Sequence, residues 1–371
     1  MEPMDVEALI APRVREMQPY TPIVPFEVLS KRLGRAPHEI VKLDANENPY
    51  GSSPQALEAV ARSRALHIYP DPDQTALREA IAEFVGVPME HILCGAGADE
   101  VIDLLARAFI EPGDAVVDLP PTFGMYKWEA DVLGARYVTV PRREDFSIDV
   151  DATARAVEAA HAAGAAPKLL FVANPNNPDG SVTLRADLLR LLDLPVVVVL
   201  DEAYIDFSTE RSLAPLVREC NNLVVLRTFS KLAGMAGLRV GYGLLPLPVI
   251  KHLWKVKQPY TPNVAGTVAA LAALGDRPWL ETTVRALVAE RDRLAGALAG
   301  VPWLTPLPSH TNFILCRIGG GRQARAVKEA LERQGVLVRY FDKEGLRDCI
   351  RISVGRPQDT DALMAALTVP A

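Results

Sequence analysis

A lysine and an arginine eight residues apart mark the part of the sequence with the clearest chemical potential. Lys231 follows the apolar run 223–226 and is separated from Arg239 by a glycine-rich stretch that we expect to form a turn. A lysine amine at the end of an apolar strand can be partly desolvated, which favours the uncharged form that forms a Schiff base with a carbonyl group. An isolated Ser-Lys pair is more often ordinary surface charge, so the other motifs must decide between the two readings.

Three further polar turns follow predicted strands. The turn at 95–100 lies before a helix, where backbone N–H groups and the helix dipole suit a phosphate, although it matches neither a P-loop nor a dinucleotide-binding fingerprint. Asp201 directly follows an apolar strand, and the turn at 174–180 ends another strand. Alone, the acid could be a helix cap and the Asn/Pro/Gly cluster a simple turn. At one sheet edge, however, these groups supply the set that pyridoxal phosphate requires.

The order of predicted elements indicates an α/β fold with two domains. From residue 75 onward helices and strands alternate, and several strands are solidly apolar, which predicts a mostly parallel sheet covered by helices on both faces. We expect a large cofactor-binding domain over residues 45–245. A smaller α/β domain is expected from residues 1–44 and 246–371, with an N-terminal arm and a short helix over residues 6–17.

The composition argues against several classes of function. The 371 residues carry a net charge of −6 without a basic block, which argues against a nucleic-acid surface. The longest apolar run, 194–200, is far too short for a membrane span, and the first residues do not resemble a secretory signal. Four scattered cysteines suit reduced thiols in a cytoplasm, and the histidines form no metal-ligand pattern. We therefore expect a cytoplasmic protein without a metal, a nucleic-acid partner or a membrane partner.

An ordered series of motifs resembles the aspartate-aminotransferase-like superfamily of pyridoxal-phosphate enzymes of fold type I, and within it most closely the histidinol-phosphate aminotransferase family. The series covers nearly the whole chain. It consists of Pro19-Tyr20, Ala45-Asn-Glu-Asn-Pro-Tyr-Gly51, Tyr69-Pro-Asp-Pro72, Gly97-Ala-Asp-Glu100, Pro121-Thr-Phe-Gly-Met-Tyr126, residues 174–180, Asp201-Glu-Ala-Tyr204, Thr228-Phe-Ser-Lys231, Ala236-Gly-Leu-Arg239 and Arg351-Ile-Ser-Val-Gly355. The resemblance implies pyridoxal 5'-phosphate as the cofactor and a homodimer with shared active sites.

The resemblance also implies a role for each matching residue. Lys231 is expected to form the Schiff base, Asp201 to face the pyridine nitrogen, and Tyr204 with Asn177 to donate to the ring hydroxyl oxygen. Lys231, Asp201 and Tyr204 are thus the expected catalytic residues. The residues expected to hold the phosphate are Ala98, Asp99, Thr228, Ser230, Arg239 and, from a second subunit, Tyr69; Phe123 is expected to stack on the ring.

We expect Tyr20, Arg339 and Arg351 to bind the anionic end of the substrate, and Asn46 is a further expected substrate-binding residue. Asp179 replaces the threonine that the family has in this turn, so we expect the hydrogen bonds of the turn to differ. The segment between Arg339 and Arg351 follows the family pattern only loosely, which makes Arg339 the less secure assignment.

The resemblance predicts transamination between a small-molecule amino donor and a 2-oxo acid. The leading hypothesis is the histidinol-phosphate:2-oxoglutarate aminotransferase of histidine biosynthesis. An aromatic amino-acid aminotransferase is the alternative, since arginine binds a carboxylate as well as a phosphate. A phosphothreonine decarboxylase and a catalytically silent effector-binding protein are further alternatives.

Overall fold

The chain folds around two β-sheets, each packed against helices. This computed structural model describes residues 4–20, 22 and 24–368. The strands are β1 (Val41–Leu43), β2 (Ile92–Gly95), β3 (Ala115–Asp118), β4 (Arg136–Thr139), β5 (Pro167–Ala173), β6 (Val197–Asp201), β7 (Leu223–Thr228), β8 (Gly241–Leu244), β9 (Leu304–Pro306), β10 (Phe313–Ile318), β11 (Val336–Tyr340) and β12 (Cys349–Ser353).

The α-helices cover both faces of the larger sheet and also pack against the smaller sheet. They are α1 (Pro12–Glu16), α2 (Phe26–Leu33), α3 (Pro54–Arg62), α4 (Thr75–Val85), α5 (Ala98–Phe109), α6 (Met125–Leu133), α7 (Val150–Ala162), α8 (Arg185–Leu191), α9 (Leu247–Val256), α10 (Val264–Gly275), α11 (Arg277–Ala299), α12 (Ala324–Arg333) and α13 (Pro357–Thr368). In the part of the chain that the structure describes, none of these helices combines the length and the apolar character needed to cross a membrane.

The larger sheet is mostly parallel, as its apolar strands predict. Its order over the described residues is β2-β8-β7-β6-β5-β3-β4, and the pairs from β7 to β4 are parallel. Alternate residues of a strand face opposite sides of a sheet. In β6, Val198 and Leu200 therefore join one buried apolar cluster and Val199 joins another. Helices bury both faces, which explains why these strands lack an apolar–polar alternation.

Strand β8 lies where the sequence suggested a glycine-rich turn, so that expectation is wrong. The strand is inserted antiparallel between β2 and β7, with Gly241 opposite Gly95 on one side and Thr228 on the other. A Cβ on Gly241 would overlap with the backbone of Gly97 and Ala98. Glycine is therefore required here because the strand passes very close to the start of α5.

The smaller sheet combines the first strand of the chain with its last strands. Its order is β1-β11-β12-β10-β9 among the described residues; β1 runs parallel to β11 and the other pairs are antiparallel. Leu43 of β1 shares a buried cluster with Leu331 of α12 and Leu363 of α13. Residues before 45 thus contribute to the core of the C-terminal part of the chain.

Helices α9 and α10 pack on the larger sheet although they follow residue 245. Leu253 of α9 lies in the apolar cluster on one face of that sheet, and Ala273 of α10 lies in the cluster on the other face. Helix α11 begins in the core of the larger sheet at Leu280 and reaches the core of the smaller sheet at Leu294. We therefore place the boundary between the two packing units within α11, later than the sequence-based boundary.

The N-terminal segment contains less helix than predicted. The expected helix over residues 6–17 is replaced by a 3-10 turn, Glu7–Leu9, and the five-residue helix α1. Pro12 explains the interruption, since a proline disfavours helical backbone at the preceding residue and cannot donate an N–H. Arg13 attaches the segment to the larger domain, because its Nε donates to the carbonyl oxygen of Val132 at 2.8 Å.

Candidate active site

Four polar turns at one edge of the larger sheet enclose a single cavity. The turns follow β2, β5, β6 and β7. The cavity is lined by Ala98, Asp99, Ile102, Phe123, Ala173, Pro175, Asn177, Asp201, Ala203, Tyr204, Thr228, Ser230, Lys231 and Arg239. The structure thus brings together every residue that the sequence assigned to the cofactor, except Tyr69. The fold explains this proximity, because parallel strands carry their carboxyl ends to the same edge.

Lys231 presents its amine to the cavity from the turn after β7. Its Nζ lies 3.4 Å from the carbonyl oxygen of Ala45 and 5.8 Å from the centroid of the Tyr204 ring. Asn48 fixes the backbone of the turn, since its Nδ2 lies within 3.3 Å of the carbonyl oxygens of Lys231 and Leu232. Among the described residues, no carboxylate forms an ion pair with Lys231. The amine is therefore available for covalent chemistry.

Asp201 is a buried acid at the end of β6. The Tyr126 hydroxyl donates to its Oδ2 at 2.6 Å, and the backbone N–H of Ala203 donates to Oδ1 at 3.0 Å. Burial raises the pKa of Asp201, while these two hydrogen bonds and the nearby Lys231 act in the opposite direction. A buried carboxylate held in this way is suited to pair with a protonated ring nitrogen.

Tyr126 was missed by the sequence analysis as a contributor to the site. Its side chain is fully buried, stacks on Phe171 with ring centroids 4.5 Å apart, and meets Phe123 edge-to-face at 5.6 Å. The residue closes the motif at 121–126, but nothing in that motif indicates a contact with an acid 75 positions later. Only the packing of α6 against the sheet creates this pair.

Asn46 connects the smaller sheet to the cavity through Tyr204. Its backbone is left-handed, with φ of 55°, a conformation that asparagine adopts more readily than most residues. The backbone N–H donates to Ser353 Oγ at 2.8 Å, and that hydroxyl donates back to Asn46 Oδ1 at 3.0 Å. Asn46 Nδ2 then donates to the Tyr204 hydroxyl oxygen at 3.1 Å. The Tyr204 hydroxyl is therefore oriented from β12.

The start of α5 and the turn after β7 form the end of the cavity that suits a phosphate. The first N–H groups of α5, at Ala98 and Asp99, follow Gly97, whose φ is 83°. Arg239 also has a left-handed backbone, with φ of 54°, and its Nη2 donates to Asp99 Oδ2 at 2.8 Å. The hydroxyls of Thr228 and Ser230 line the same cavity. Helix N–H groups, hydroxyls and a guanidinium together are strong donors for a phosphate.

Asp179 supplies the internal hydrogen bonds of the turn at 174–180. Its Oδ2 accepts from Asn176 Nδ2 at 2.5 Å, and its Oδ1 accepts from the backbone N–H of Ser181 at 2.6 Å. Asn176 Nδ2 also donates to the carbonyl oxygen of Pro121 at 3.0 Å. In this turn the Asp179 carboxylate therefore accepts the hydrogen bonds of the position at which the family has threonine. The carboxylate is buried together with Asn176.

Arg351 is a buried cation beside the cavity. Its Nη1 donates to Asn177 Oδ1 at 2.5 Å and its Nη2 to the carbonyl oxygen of Asp44 at 3.0 Å, while Nε is buried without a hydrogen-bond partner among the described residues. The guanidinium lies 5.1 Å from the centroid of Phe313 and 5.3 Å from that of Phe341. Burial lowers the pKa of Arg351 to about 10. A cation with a spare donor suits an anionic substrate group.

Two further residues lie near Arg351, and a third lies beside the segment that carries Phe123. Arg339 pairs with Arg351 in the register of β11 and β12 and lies over the Phe341 ring. Tyr20 is half exposed and lies near Arg351. Lys343, which the sequence analysis did not single out, lies with Tyr20 over Gly124: a Cβ at Gly124 would be 3.5 Å from Lys343 Nζ and 4.0 Å from the Tyr20 ring.

Tyr69 lies outside the cavity. Its side chain is 77% exposed and stacks on Tyr260 with ring centroids 4.4 Å apart. The predicted contact between Tyr69 and a cofactor phosphate therefore requires a second subunit, and it stays a prediction.

The rest of the lining is apolar. Ile102, Ala173, Pro175 and Ala203 complete the cavity wall, and they could not be identified from the sequence because such side chains carry no chemical signature. Over residues 4–20, 22 and 24–368, no group of three or more His, Cys, Asp or Glu residues is arranged to hold a metal ion.

Comparison with known proteins gives a consistent family. The family model "Aminotransferase class I and II" matches residues 38–367. A histidinol-phosphate aminotransferase from Roseiflexus castenholzii is 52% identical, with 98% of this chain and 99% of the relative covered. Histidinol-phosphate aminotransferase 1, chloroplastic, from Arabidopsis thaliana is 50% identical, with 97% and 85% covered.

A solved structure agrees with this result. The histidinol-phosphate aminotransferase from Sinorhizobium meliloti, in complex with pyridoxal-5'-phosphate, superposes with a TM-score of 0.87 at 30% identity and covers 96% of each chain. The chain belongs to the class I and II aminotransferase family and, within it, to the histidinol-phosphate aminotransferases.

Proposed function

We propose that this protein is a pyridoxal-phosphate-dependent aminotransferase that transfers the amino group of histidinol phosphate to 2-oxoglutarate. One observation carries the proposal: a single cavity is lined by an amine (Lys231), a buried acid (Asp201) and the donor-rich start of α5 beside Arg239. The identity to histidinol-phosphate aminotransferases over almost the whole chain supports the choice of amino donor.

The residues present fit pyridoxal 5'-phosphate. The cofactor has a phosphate, a ring nitrogen that accepts a proton, a hydroxyl oxygen and an aldehyde, and each has a chemically matched group in the cavity. Glycines let strand β8 and Arg239 approach the start of α5: a Cβ on Gly241 would overlap with the Ala98 backbone, and one on Gly97 would lie 2.5 Å from Arg239 Nη2. This close packing brings the Arg239 guanidinium beside the N–H groups of α5, and that donor set favours a phosphate.

The cavity residues divide the work of holding the cofactor and moving protons. When bound, pyridoxal phosphate supplies an aldehyde that condenses with amines and a protonated ring that accepts electrons. Asp201 would hold the proton on the ring nitrogen, and Phe123 would stack on the ring. Lys231 Nζ is the general base that takes the proton from the substrate α-carbon. Tyr204 and Asn177 would orient the ring by donating to its hydroxyl oxygen.

The cluster around Arg351 binds the anionic end of each substrate. Histidinol phosphate offers a phosphate and 2-oxoglutarate a carboxylate, and a guanidinium binds both through paired hydrogen bonds. The buried Nε of Arg351 is a donor that such an anion can use. Tyr20 and Arg339 lie near Arg351, and Asn46 orients Tyr204 by donating a hydrogen bond to its hydroxyl oxygen.

Initial rates with two amino donors test the proposal. The kcat/KM for histidinol phosphate, with 2-oxoglutarate as the acceptor, is expected to exceed that for phenylalanine at least tenfold, since the phosphate adds charge-assisted hydrogen bonds. Equal or higher efficiency with phenylalanine would instead make the protein an aromatic amino-acid aminotransferase. Release of carbon dioxide from phosphothreonine at a comparable rate would point to the decarboxylase.

We also infer a homodimer with shared active sites. Leu66, Ile68 and Tyr69 are exposed apolar side chains, which is consistent with a covered face. Mixing Tyr69→Phe and Lys231→Ala subunits is expected to raise activity above the sum of the two separate activities, because hybrid dimers carry one intact site. Mixtures that stay at the sum of the separate activities would show that Tyr69 acts within its own subunit, if at all.

We propose a cytoplasmic location, supported by the four cysteines, which are all free thiols. Fractionation of the source cells with an antibody to the chain tests this, and recovery in a membrane or secreted fraction contradicts it.

A further inference from the structure

We propose that Tyr126 is a positioning residue that holds Asp201 and Phe123 in one arrangement, so that the acid and the stacking ring act on the same cofactor pyridine. The inference rests on the proposed function, because it takes pyridoxal 5'-phosphate to be the ligand of the cavity.

Three contacts fix Tyr126 in place. The ring is nearly parallel to that of Phe171, with an interplanar angle of 6°, which fixes the plane of the tyrosine on the sheet. Its edge-to-face contact with Phe123, at an interplanar angle of 84°, supports the ring at the cavity wall. Its hydroxyl, 2.6 Å from Asp201 Oδ2, fixes the acid. One side chain therefore contacts two residues that line the cavity, although it is not itself part of the lining.

The hydroxyl of Tyr126 also influences the charge state of Asp201. A hydrogen bond donated to a carboxylate favours its ionised form, whereas burial favours the neutral form. Of the other charged groups near Asp201, Lys231 favours ionisation and Asp99 opposes it. Tyr126 is a side chain in direct contact with the acid and is fully buried, so its hydroxyl is the donor to Asp201 Oδ2 on the side away from the cavity lining.

Tyr137 provides a matched control for a purely structural role. Its hydroxyl donates to Oδ2 of Asp118, a buried acid at the end of β3, and neither residue lines the cavity. Substitution of Phe for Tyr126 or for Tyr137 removes one donor from one buried carboxylate and keeps the aromatic ring. The two variants therefore have comparable structural costs but differ in their distance from the cofactor.

The test measures the dissociation constant of pyridoxal 5'-phosphate and of its analogue with carbon in place of the ring nitrogen. Both ligands are titrated into the full-length apoprotein of the wild type, Tyr126→Phe and Tyr137→Phe. The wild type is expected to prefer the natural cofactor, since only that ligand pairs with Asp201. In Tyr126→Phe the ratio of the two dissociation constants is expected to fall about tenfold, which is the size of one charge-assisted hydrogen bond. In Tyr137→Phe the ratio is expected to stay unchanged.

The preference is a ratio measured on one protein, so a general loss of stability does not alter it. An unchanged ratio in Tyr126→Phe, an equal fall in both variants, or a loss of folding confined to Tyr126→Phe would overturn the positioning role. A wild-type protein that binds neither ligand would refute the proposed function instead, which separates the two failures.

Discussion

Replacement of Arg351 by methionine is expected to reduce activity strongly without destabilising the apoprotein. Methionine fills the space between Phe313 and Phe341 but carries no charge. The pKa of Arg351, lowered by burial to about 10, corresponds to roughly 3 kcal/mol by which the folded protein disfavours this cation, since one pKa unit equals about 1.4 kcal/mol. Its two hydrogen bonds return part of that energy. The folded apoprotein therefore gains little from the charge.

Substrate binding, unlike the stability of the apoprotein, should depend strongly on the charge of Arg351. Removing one partner of a buried charge-assisted interaction costs about 2–5 kcal/mol, so kcat/KM should fall by roughly 30-fold to several thousandfold for both histidinol phosphate and 2-oxoglutarate. The sign of the stability change follows from linkage: a cation with a lowered pKa destabilises the fold below that pKa, and stability rises as the pH increases through about 10. The unfolding free energy of the apoprotein at pH 7 should thus stay within about 1 kcal/mol of wild type, or rise.

Urea unfolding of the apoproteins and steady-state kinetics of the holoenzymes measure the two quantities. Arg317→Met is the control, since Arg317 lies on the neighbouring strand β10 over the ring of Phe146 and its guanidinium is exposed. This control should change neither quantity much. A loss of several kcal/mol in Arg351→Met with kcat/KM lowered less than fivefold would show that Arg351 is a structural cation, and would refute the reasoning.

Three further predictions concern the start of α5, Lys343 beside Gly124, and the response of stability to pH. Gly241→Ala should weaken pyridoxal-phosphate binding at least tenfold, because its Cβ would push the start of α5 away, whereas Gly237→Ala, which has open space around it, should bind normally in the same titration. Lys343→Met should raise the KM for histidinol phosphate severalfold with little change in kcat, while Lys328→Met, which loses an ion pair on α12, should leave both unchanged; a fall in kcat alone would contradict this. Burial and the nearby Asp103 and Asp99, opposed by Arg107, raise the pKa of Glu129 to about 7. Ionisation of this group should therefore lower the stability of the fold as the pH rises from about 4.5 to 7. The Glu129→Gln apoprotein should show a flatter pH dependence of Tm than the wild type, and an unchanged profile would contradict the shift.

The sequence predicted the parallel sheet and the contents of the cavity for one physical reason. Polar turns that follow apolar strands must meet at one edge of a parallel sheet, whatever the details of the helices. Lys231, Asp201 and Asn177 could therefore be placed together without coordinates. The family resemblance then supplied roles that spacing alone leaves open, such as that of Arg239.

Features that depend on contacts between distant segments could not be predicted in the same way. The pair of Tyr126 and Asp201 arises only when α6 packs on the sheet, and the contact of Asn46 with Ser353 links residues 307 positions apart. Strand β8 was read as a turn because glycine usually signals one, whereas here Gly241 permits the close approach of strand and helix. The positions of α9 and α10 were likewise misjudged because an apolar helix face does not specify which sheet it covers.

Reduction of the holoenzyme with sodium borohydride, followed by peptide mass spectrometry, tests the central claim most directly. The reagent fixes pyridoxal phosphate to the amine that holds it, and we predict the added mass on Lys231. Prior incubation with histidinol phosphate, without an acceptor, should abolish this labelling, whereas the same concentration of phenylalanine should leave most of it. A label on another lysine, or labelling that phenylalanine removes and histidinol phosphate does not, would contradict the account.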